Sequence, residues 1–224
     1  PRDYEPPLRI PDTNPSTSWL AFSSRATHLV GRDSERSQLS AFLDCDQKFS
    51  WWLIIGSAGS GKSRLALELC RQSDPEWRAG FLGRTEKNFN LSQFSPSQKT
   101  LIVIDYVASR AAEVSEAILT LSRRASTFVQ PVRVLLLERN KGSWWSTFSR
   151  EESQSESAEI IACRYADPLA ISGLPGAAVR QLAEEVVRAR GGAWNAAIGY
   201  KFLSQLLRYD PRGRPLYAMI VAEY

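Results

Sequence analysis

Residues 56–63 read GSAGSGKS and place Gly56, Gly61, Lys62 and Ser63 at the spacing of a phosphate-binding loop. In such a loop the backbone N–H groups turn inward toward phosphate oxygens, and the following helix points its positive end at the same place. Lys62 would reach the β- and γ-phosphates of a nucleotide, and the Ser63 hydroxyl would bind Mg²⁺. The residues expected to contact nucleotide here are Gly56, Ser57, Ala58, Gly59, Ser60, Gly61, Lys62, Ser63 and Arg64.

A second acidic group is expected on a neighbouring strand, because magnesium bound at a P-loop needs a carboxylate close to the serine. The run TLIVID ends in Asp105, and its apolar residues would deliver that carboxylate to the carboxyl edge of the sheet. We predict that Ser63 and Asp105 bind the metal and that Lys62 and Asp105 are catalytic. Tyr106 follows Asp105, where hydrolysing P-loop proteins usually carry a second acid, so we expect ATP hydrolysis to be slow or absent.

The segment PVRVLLLER ends in Glu138 and Arg139. An arginine at a strand end beside the P-loop can stabilise the negative charge of a γ-phosphate, and we predict this catalytic role for Arg139. Glu138 has two interpretations at this stage: it polarises water, or it pairs with Arg139.

Apolar runs of strand length alternate with helical patterns, which predicts an α/β fold with a parallel sheet covered on both faces. The predicted strands are 51–55, 79–84, 100–105, 131–139 and a short one within 167–175. The predicted helices are one that Asp33 or Ser34 caps, then 61–71, 109–126, 175–190 and 193–207, with a polar surface insertion at 149–159. We expect a proline-rich arm or linker at 1–25, a three-layer P-loop core at 26–173 and a small helical subdomain at 174–224.

The composition argues against several classes of protein. The 28 basic and 24 acidic residues give a net charge of +4, which indicates a mixed surface rather than a nucleic-acid-binding stripe. We interpret Arg123, Arg124 and Arg133 as a solvated helix end, with a basic patch as the alternative. Three cysteines without CxxC spacing and one histidine argue against a disulfide framework or a metal cluster and favour a reducing, cytosolic compartment.

The chain shows no sign of membrane insertion in its sequence, because no apolar run reaches the ~18 residues that a spanning helix needs. It begins at Pro1 without a methionine, which we interpret as a piece of a longer protein.

Several motifs in this order resemble the STAND class of signal-transduction P-loop ATPases, which includes the NB-ARC and NACHT domains. The similar segments are LVGRDSERSQLSAFL, GSAGSGKSRLALEL, TLIVIDY, VRVLLLER, LAISGLPGAAVRQLAEEVV and GRPLYAMIVA. The resemblance implies that Val30, Gly31 and Arg32 lie against the adenine and ribose. It also implies that Arg139 is the sensor arginine and that Pro215 packs near the adenine.

The resemblance further implies a cytoplasmic, ATP- or ADP-binding regulatory switch that uses Mg²⁺ and controls oligomerisation or an effector in other domains. Its partners would be nucleotide, further copies of the chain in the ATP-bound state, and the effector, winged-helix and sensor-repeat domains that this chain does not contain. Adenine is favoured over guanine because the sequence lacks an N/T-K-x-D motif. Neither a membrane nor a nucleic acid is indicated.

Three alternatives stay open at this stage. An AAA+ or origin-recognition-like ATPase that acts on DNA shares the sheet and the helical lid. A small-molecule kinase would need acceptor-binding charges, which the segment 83–97 does not obviously supply. A domain that has kept the fold but lost nucleotide binding is disfavoured by Lys62, Ser63 and Asp105.

Overall fold

A six-stranded sheet forms the centre of the molecule in the computed structural model, which describes residues 5–14, 18–73, 75–83, 91–149 and 154–223. The strands are β1 (Leu8–Arg9), β2 (Phe49–Ile55), β3 (Trp77–Leu82), β4 (Lys99–Asp105), β5 (Val132–Glu138) and β6 (Leu169–Ala170). Their order is β1-β3-β4-β5-β2-β6. Strands β3, β4, β5, β2 and β6 are parallel, and β1 pairs with β3 in the antiparallel direction.

Eight α-helices accompany the sheet in the described part of the chain. They are α1 (Asp33–Leu43), α2 (Lys62–Gln72), α3 (Ala111–Arg124), α4 (Ser146–Ser149), α5 (Gln154–Ala162), α6 (Gly176–Ala189), α7 (Ala196–Tyr209) and α8 (Pro215–Glu223). The predicted α/β P-loop fold with C-terminal helices is confirmed. Within the predicted surface insertion at 149–159, residues 150–153 lie outside the described residues, and from Gln154 the chain forms α5, a helix that the sequence does not predict.

The arm contributes a strand that the sequence does not predict. Leu8 pairs with Leu82 and Arg9 with Phe81 at the edge of the sheet. The Arg78 guanidinium donates to the Pro6 carbonyl at 2.7 Å, which fastens the same stretch. The sheet is therefore mixed rather than wholly parallel. The usual sequence signals of a strand, alternation and β-branched residues, are absent from two residues between prolines, so only tertiary pairing defines this strand.

The sheet has an apolar cluster on each face, and β2 alternates between them. Trp51 packs with Phe148 on the face covered by α3 and α5, while Trp52 packs with Phe42 and Tyr165 on the face covered by α1 and α2. Both indole N–H groups donate to backbone carbonyls, those of Ile160 and Asp167. These two tryptophans are core residues, as the two-residue period of a strand requires.

The predicted solvated helix end is wrong for Arg133, which is buried in the sheet, whereas Arg123 is exposed in the last turn of α3. Arg133 is 1% exposed on β5 and donates to backbone carbonyls after α1. Arg124 donates to the carbonyls of Leu91 and Phe94, and Arg123 pairs with Glu159. Sequence shows the charges but not the distant acceptors that these arginines reach.

Helices α6, α7 and α8 pack on one another around a third apolar cluster, which also includes Val30. The Leu174 N–H donates to the Gly213 carbonyl at 2.8 Å and joins the start of this helical part to its last loop. None of the described helices is both long enough and apolar enough to cross a membrane.

Candidate functional site

The loop between β2 and α2 has the backbone shape of a phosphate cradle. Gly59 and Gly61 adopt φ values of +78° and +96°, a left-handed conformation that L side chains rarely take. Gly61 stands immediately before α2, so the first N–H groups of that helix face the loop. The sequence folds in this way because small residues with free φ lie between a buried strand and an amphipathic helix.

The Lys62 ammonium folds back over the loop, where it donates to the carbonyls of Gly56 at 2.5 Å and Ser57 at 3.2 Å. Burial lowers the pKa of Lys62 below its usual 10.5; Asp105 and Glu138 oppose this shift, and Arg139 adds to it. A partly desolvated cation that rests on neutral carbonyls would gain from an anionic ligand. The lysine therefore fits a phosphate group.

Ser63 and Asp105 meet although they lie on different elements. The Ser63 hydroxyl donates to Asp105 Oδ2 at 2.8 Å, and Asp105 Oδ1 accepts the Tyr106 N–H at 2.9 Å. Asp105 is the last residue of β4, which lies beside β5 at the carboxyl edge of the sheet. A hydroxyl and a carboxylate at this distance fit a hard divalent cation. Magnesium binding by this pair stays a prediction.

Glu138 has a structural task that neither sequence interpretation anticipates. It is buried at the end of β5, and its carboxylate accepts the backbone N–H groups of Ala108 at 2.8 Å and Arg139 at 2.7 Å. These bonds tie the strand end to the 3₁₀ turn Val107–Arg110. Both carboxylate oxygens of Glu138 are therefore engaged by backbone N–H groups of the protein.

Tyr106 lies at the cavity in a strained conformation, with φ of +60° and ψ of +51°. A left-handed backbone at an aromatic residue costs about 1–2 kcal/mol. The conformation is held by its N–H, which donates to the Leu137 carbonyl at 3.1 Å, and by its carbonyl, which accepts the Ser109 hydroxyl at 2.8 Å. Tyr106 is therefore held in place as an aromatic part of the cavity wall.

A cavity of about 440 Å³ connects these groups, a size typical of ligand sites. Its polar end includes Lys62, Ser63, Asp105, Glu138 and Arg139. Its other end is mostly apolar and is lined by residues from the arm, from the segment before α1 and from the C-terminal helices. The residues there include Leu20, Ala21, Phe22, Leu29, Val30, Leu174, Leu182, Pro215, Leu216 and Met219.

The predicted contact residues divide into two groups. Those that line the cavity are Val30, Arg32, Ala58, Gly59, Gly61, Lys62, Ser63, Arg64, Asp105, Arg139 and Pro215. Gly31, Gly56, Ser57 and Ser60 are not among the described lining residues. Gly31 instead packs against α6, because a Cβ added to it would lie 2.7 Å from Ala178 Cβ. Nucleotide contact by all of these residues stays a prediction.

Arg32 and Arg64 face the cavity, but their hydrogen bonds go to protein groups. The buried Arg32 guanidinium donates to Glu35, to the Ser60 carbonyl at 2.9 Å and to the Ser172 carbonyl at 2.6 Å. It thereby joins the P-loop to the segment that leads into α6. Arg64 donates to the backbone carbonyls of Phe22 and Thr27.

The C-terminal helices contact the P-loop directly. The Leu216 N–H, in the first turn of α8, donates to the Gly59 carbonyl at 3.3 Å. Leu174, Leu182 and Met219 of the same helical part line the cavity. The cavity therefore lies between the α/β core and the helices, so a ligand there would contact both. In the sequence, the indication of this contact is that Leu216 directly follows the proline of the GRPL motif.

The chain is similar in fold to several solved structures. A mutant of RuvB from Thermotoga maritima matches with 14% identity and a TM-score of 0.60, over 87% of this chain and 62% of that chain. Domain III of the replication initiation protein DnaA from Thermotoga maritima matches with 13% identity and a TM-score of 0.53, over 96% and 88%. Drosophila ORC bound to DNA matches with 13% identity and a TM-score of 0.57, over 90% and 62%.

These proteins are AAA+ P-loop ATPases, and at such identities the similarity shows the fold. This chain spans less than two thirds of the RuvB and ORC chains. No protein-family model and no curated protein matches it. The fold is that of a P-loop ATPase-like domain.

We predict that nucleotide binding through Lys62 depends on pH in a defined direction. Its ammonium must be charged to attract phosphate, and burial lowers its pKa in the ligand-free protein. Bound phosphate raises the pKa of Lys62 again, so binding takes up a proton. The affinity therefore falls as pH rises through the lowered pKa of the ligand-free protein, which lies below 10.5. Calorimetry of ADP binding at alkaline pH in buffers of different ionisation enthalpy should show this uptake. If ADP binding takes up no protons at any pH, the prediction is wrong.

Proposed function

We propose that this chain is an ATP- and ADP-binding module in which the nucleotide sets the relative position of the α/β core and the helices α6–α8. The observation that carries the proposal is the shared cavity, whose polar end holds Lys62, Ser63 and Asp105 and whose other end includes Pro215 and Leu216. A ligand with a polyphosphate at one end and a flat, largely apolar base at the other matches this division of the walls.

Each group at the polar end has a task in this proposal. Lys62 and the N–H groups at the start of α2 bind phosphate oxygens. Ser63 and Asp105 hold magnesium, which offsets the phosphate charge when bound. Arg139 lies at the cavity wall close enough to Lys62 to lower its pKa, and its guanidinium stabilises the charge of a γ-phosphate.

Hydrolysis is slow in this proposal because neither carboxylate at the polar end is available to activate water. Asp105 is engaged with Ser63, and Glu138 accepts two backbone N–H groups. Tyr106 occupies the position after Asp105. Slow hydrolysis suits a regulatory switch, since the ATP-bound state then persists. To reverse a 1:99 equilibrium, ATP must favour one state by about 5.5 kcal/mol, within reach of several charge-assisted contacts.

The STAND-like resemblance supports a switch that controls self-association or an effector. A second candidate is an AAA+-type ATPase that acts on DNA, and the solved structures favour it, because one of them is described as bound to DNA and another as a replication initiation protein. In both candidates the nucleotide lies between the core and the helices. They differ in the partner that responds.

One experiment separates these candidates. Binding of ATP, ADP and GTP with Mg²⁺ is measured, and phosphate release is followed over hours with and without duplex DNA. Tight ATP or ADP binding with release far below one turnover per second, unchanged by DNA, supports the switch. ATP-dependent DNA binding or DNA-stimulated release supports the second candidate. Rapid transfer of phosphate to a small acceptor would favour a kinase, and no nucleotide binding would overturn the proposal.

Removing either metal-side group should change the magnesium dependence rather than abolish phosphate contact. In Ser63→Ala and Asp105→Asn, the affinity for ATP with Mg²⁺ is expected to fall at least tenfold, whereas the affinity measured in EDTA changes about twofold or less, because Lys62 and the loop remain. Ser204→Ala is the matched control, since its exposed hydroxyl bonds the Lys201 carbonyl within α7 and Ser204 is not a described lining residue of the cavity. Equal losses with and without Mg²⁺ would show that the pair is not a metal site.

A further inference from the structure

Residues 18–28, which we term the strap, pass over the apolar end of the cavity. Leu20, Ala21, Phe22 and Ser24 of the strap line that end. The strap is shaped from within, because the Ser24 hydroxyl contacts the carbonyls of Trp19 at 2.8 Å and Ala21 at 2.7 Å. It is a defined wall of the cavity, although its sequence is part of the arm.

Two arginines and one glutamate fasten the strap to α2. Arg64 donates to the Phe22 carbonyl at 3.2 Å and to the Thr27 carbonyl at 2.8 Å. Glu68, one turn further along α2, accepts Arg25 at 2.9 Å and lies 3.1 Å from Arg64. The side chains of Glu68 and Arg64 are 11% and 16% exposed, so this pair is largely shielded from solvent, where ion pairs are strongest, whereas Arg25 is 42% exposed. Glu68 itself is not a described lining residue of the cavity.

The strap also contacts the helical part of the molecule. The His28 N–H donates to Glu185 of α6 at 2.9 Å, and the Arg190 guanidinium lies 4.6 Å from the ring centre of Trp19. The strap therefore crosses from α2, the helix that begins at the P-loop, to α6. Leu20 and Phe22 lie in the strap between these two attachments and line the cavity.

We propose that the strap is the base-side wall of the nucleotide site and that Glu68, through Arg25 and Arg64, is the positioning residue that holds it closed. This inference rests on the proposed nucleotide binding. The ligand group concerned is a heteroaromatic base, which Phe22 and Leu20 cover by apolar contact. Ser63, at the phosphate end of the cavity, and Arg64, which holds the strap, are consecutive residues of α2. A ligand that fills both ends of the cavity therefore links its phosphate contacts to closure of the strap.

Two probes isolate the base: ADP, and pyrophosphate, which has no base. Calorimetry with both probes is carried out on the wild type, Phe22→Ala, Glu68→Gln and the control Glu76→Gln, whose side chain is exposed and pairs with Lys99. We expect Phe22→Ala and Glu68→Gln to lower the affinity for ADP about tenfold, the order expected for one lost base contact, and to change that for pyrophosphate less than twofold. Glu76→Gln should match the wild type for both probes.

Trypsin supplies a readout that a purely structural role of Glu68 would not move. ADP should slow cleavage after Arg25 in the wild type, and pyrophosphate should not, because only the base holds the strap. If ADP binds in a Lys62-dependent manner but Phe22→Ala leaves its affinity unchanged, or ADP leaves the cleavage rate unchanged, the strap proposal is wrong and nucleotide binding stands. Equal losses for both probes would also overturn it. Binding of neither probe to the wild type would overturn both proposals.

Discussion

Lys62→Ala is expected to lower the affinity for ATP and ADP at least a hundredfold, about 2.7 kcal/mol. Its ammonium lies over the loop, where it donates to the carbonyls of Gly56 and Ser57. Its contact with phosphate is charge-assisted and partly shielded from water, the setting in which such bonds are strongest. Both ADP and pyrophosphate should lose affinity, because the lost contact is to phosphate.

The same substitution should leave the protein folded. Lys62 is partly desolvated in the free protein, so removing its charge relieves a cost, and the expected change in the free energy of unfolding is within about 1 kcal/mol. Lys201→Ala, at an exposed position on α7, is the matched control for the loss of one lysine. A Lys62→Ala protein that is folded and binds ADP as tightly as the wild type would mean that the cavity does not bind nucleotide through this loop.

The predictable part of the site is the part that local sequence determines. Lys62 and Ser63 follow a strand and begin a helix, and Asp105 ends a parallel strand, so sheet geometry alone brings Ser63 and Asp105 within 2.8 Å. The helix α3 was predicted at 109–126 and lies at Ala111–Arg124, because its apolar residues repeat at helical spacing. Periodicity and turn chemistry are sufficient for such features.

The remaining features depend on groups that are distant in sequence. The sequence places Arg64 in the P-loop, but its guanidinium donates to the carbonyls of Thr27 and Phe22, 37 and 42 positions away. Glu138 reads as a base or as a partner for a side chain, and it accepts backbone N–H groups instead. A side chain's type fixes what it can donate or accept. It does not identify the partner, and backbone acceptors leave no pattern in the sequence.

Arg133 shows the largest structural consequence of such a hidden partner. Its buried guanidinium donates to the carbonyls of Phe42 at 3.0 Å, Gln47 at 2.8 Å and Cys45 at 2.5 Å, all at or after the C-terminal end of α1. Phe42 lies in the last turn of α1, so its carbonyl carries part of the negative end of the helix dipole, whereas Cys45 and Gln47 lie in the turn that follows. Burial lowers the pKa of Arg133, but an arginine stays charged in proteins, so the dipoles must stabilise the charge.

Arg133→Met keeps much of the side-chain volume and removes every donor. It leaves several buried carbonyls without that partner, and we expect the free energy of unfolding in urea to fall by about 3–5 kcal/mol. Arg133→Lys should recover only part of this loss, because one ammonium cannot reproduce the fork of a guanidinium.

Arg123→Met is the control: the loss of its partly exposed pair with Glu159 should cost less than about 1 kcal/mol. If Arg133→Met unfolds at the same urea concentration as Arg123→Met, these carbonyl bonds do not stabilise the fold. The comparison isolates the carbonyl bonds from the nucleotide site, since Arg133 is not a described lining residue of the cavity.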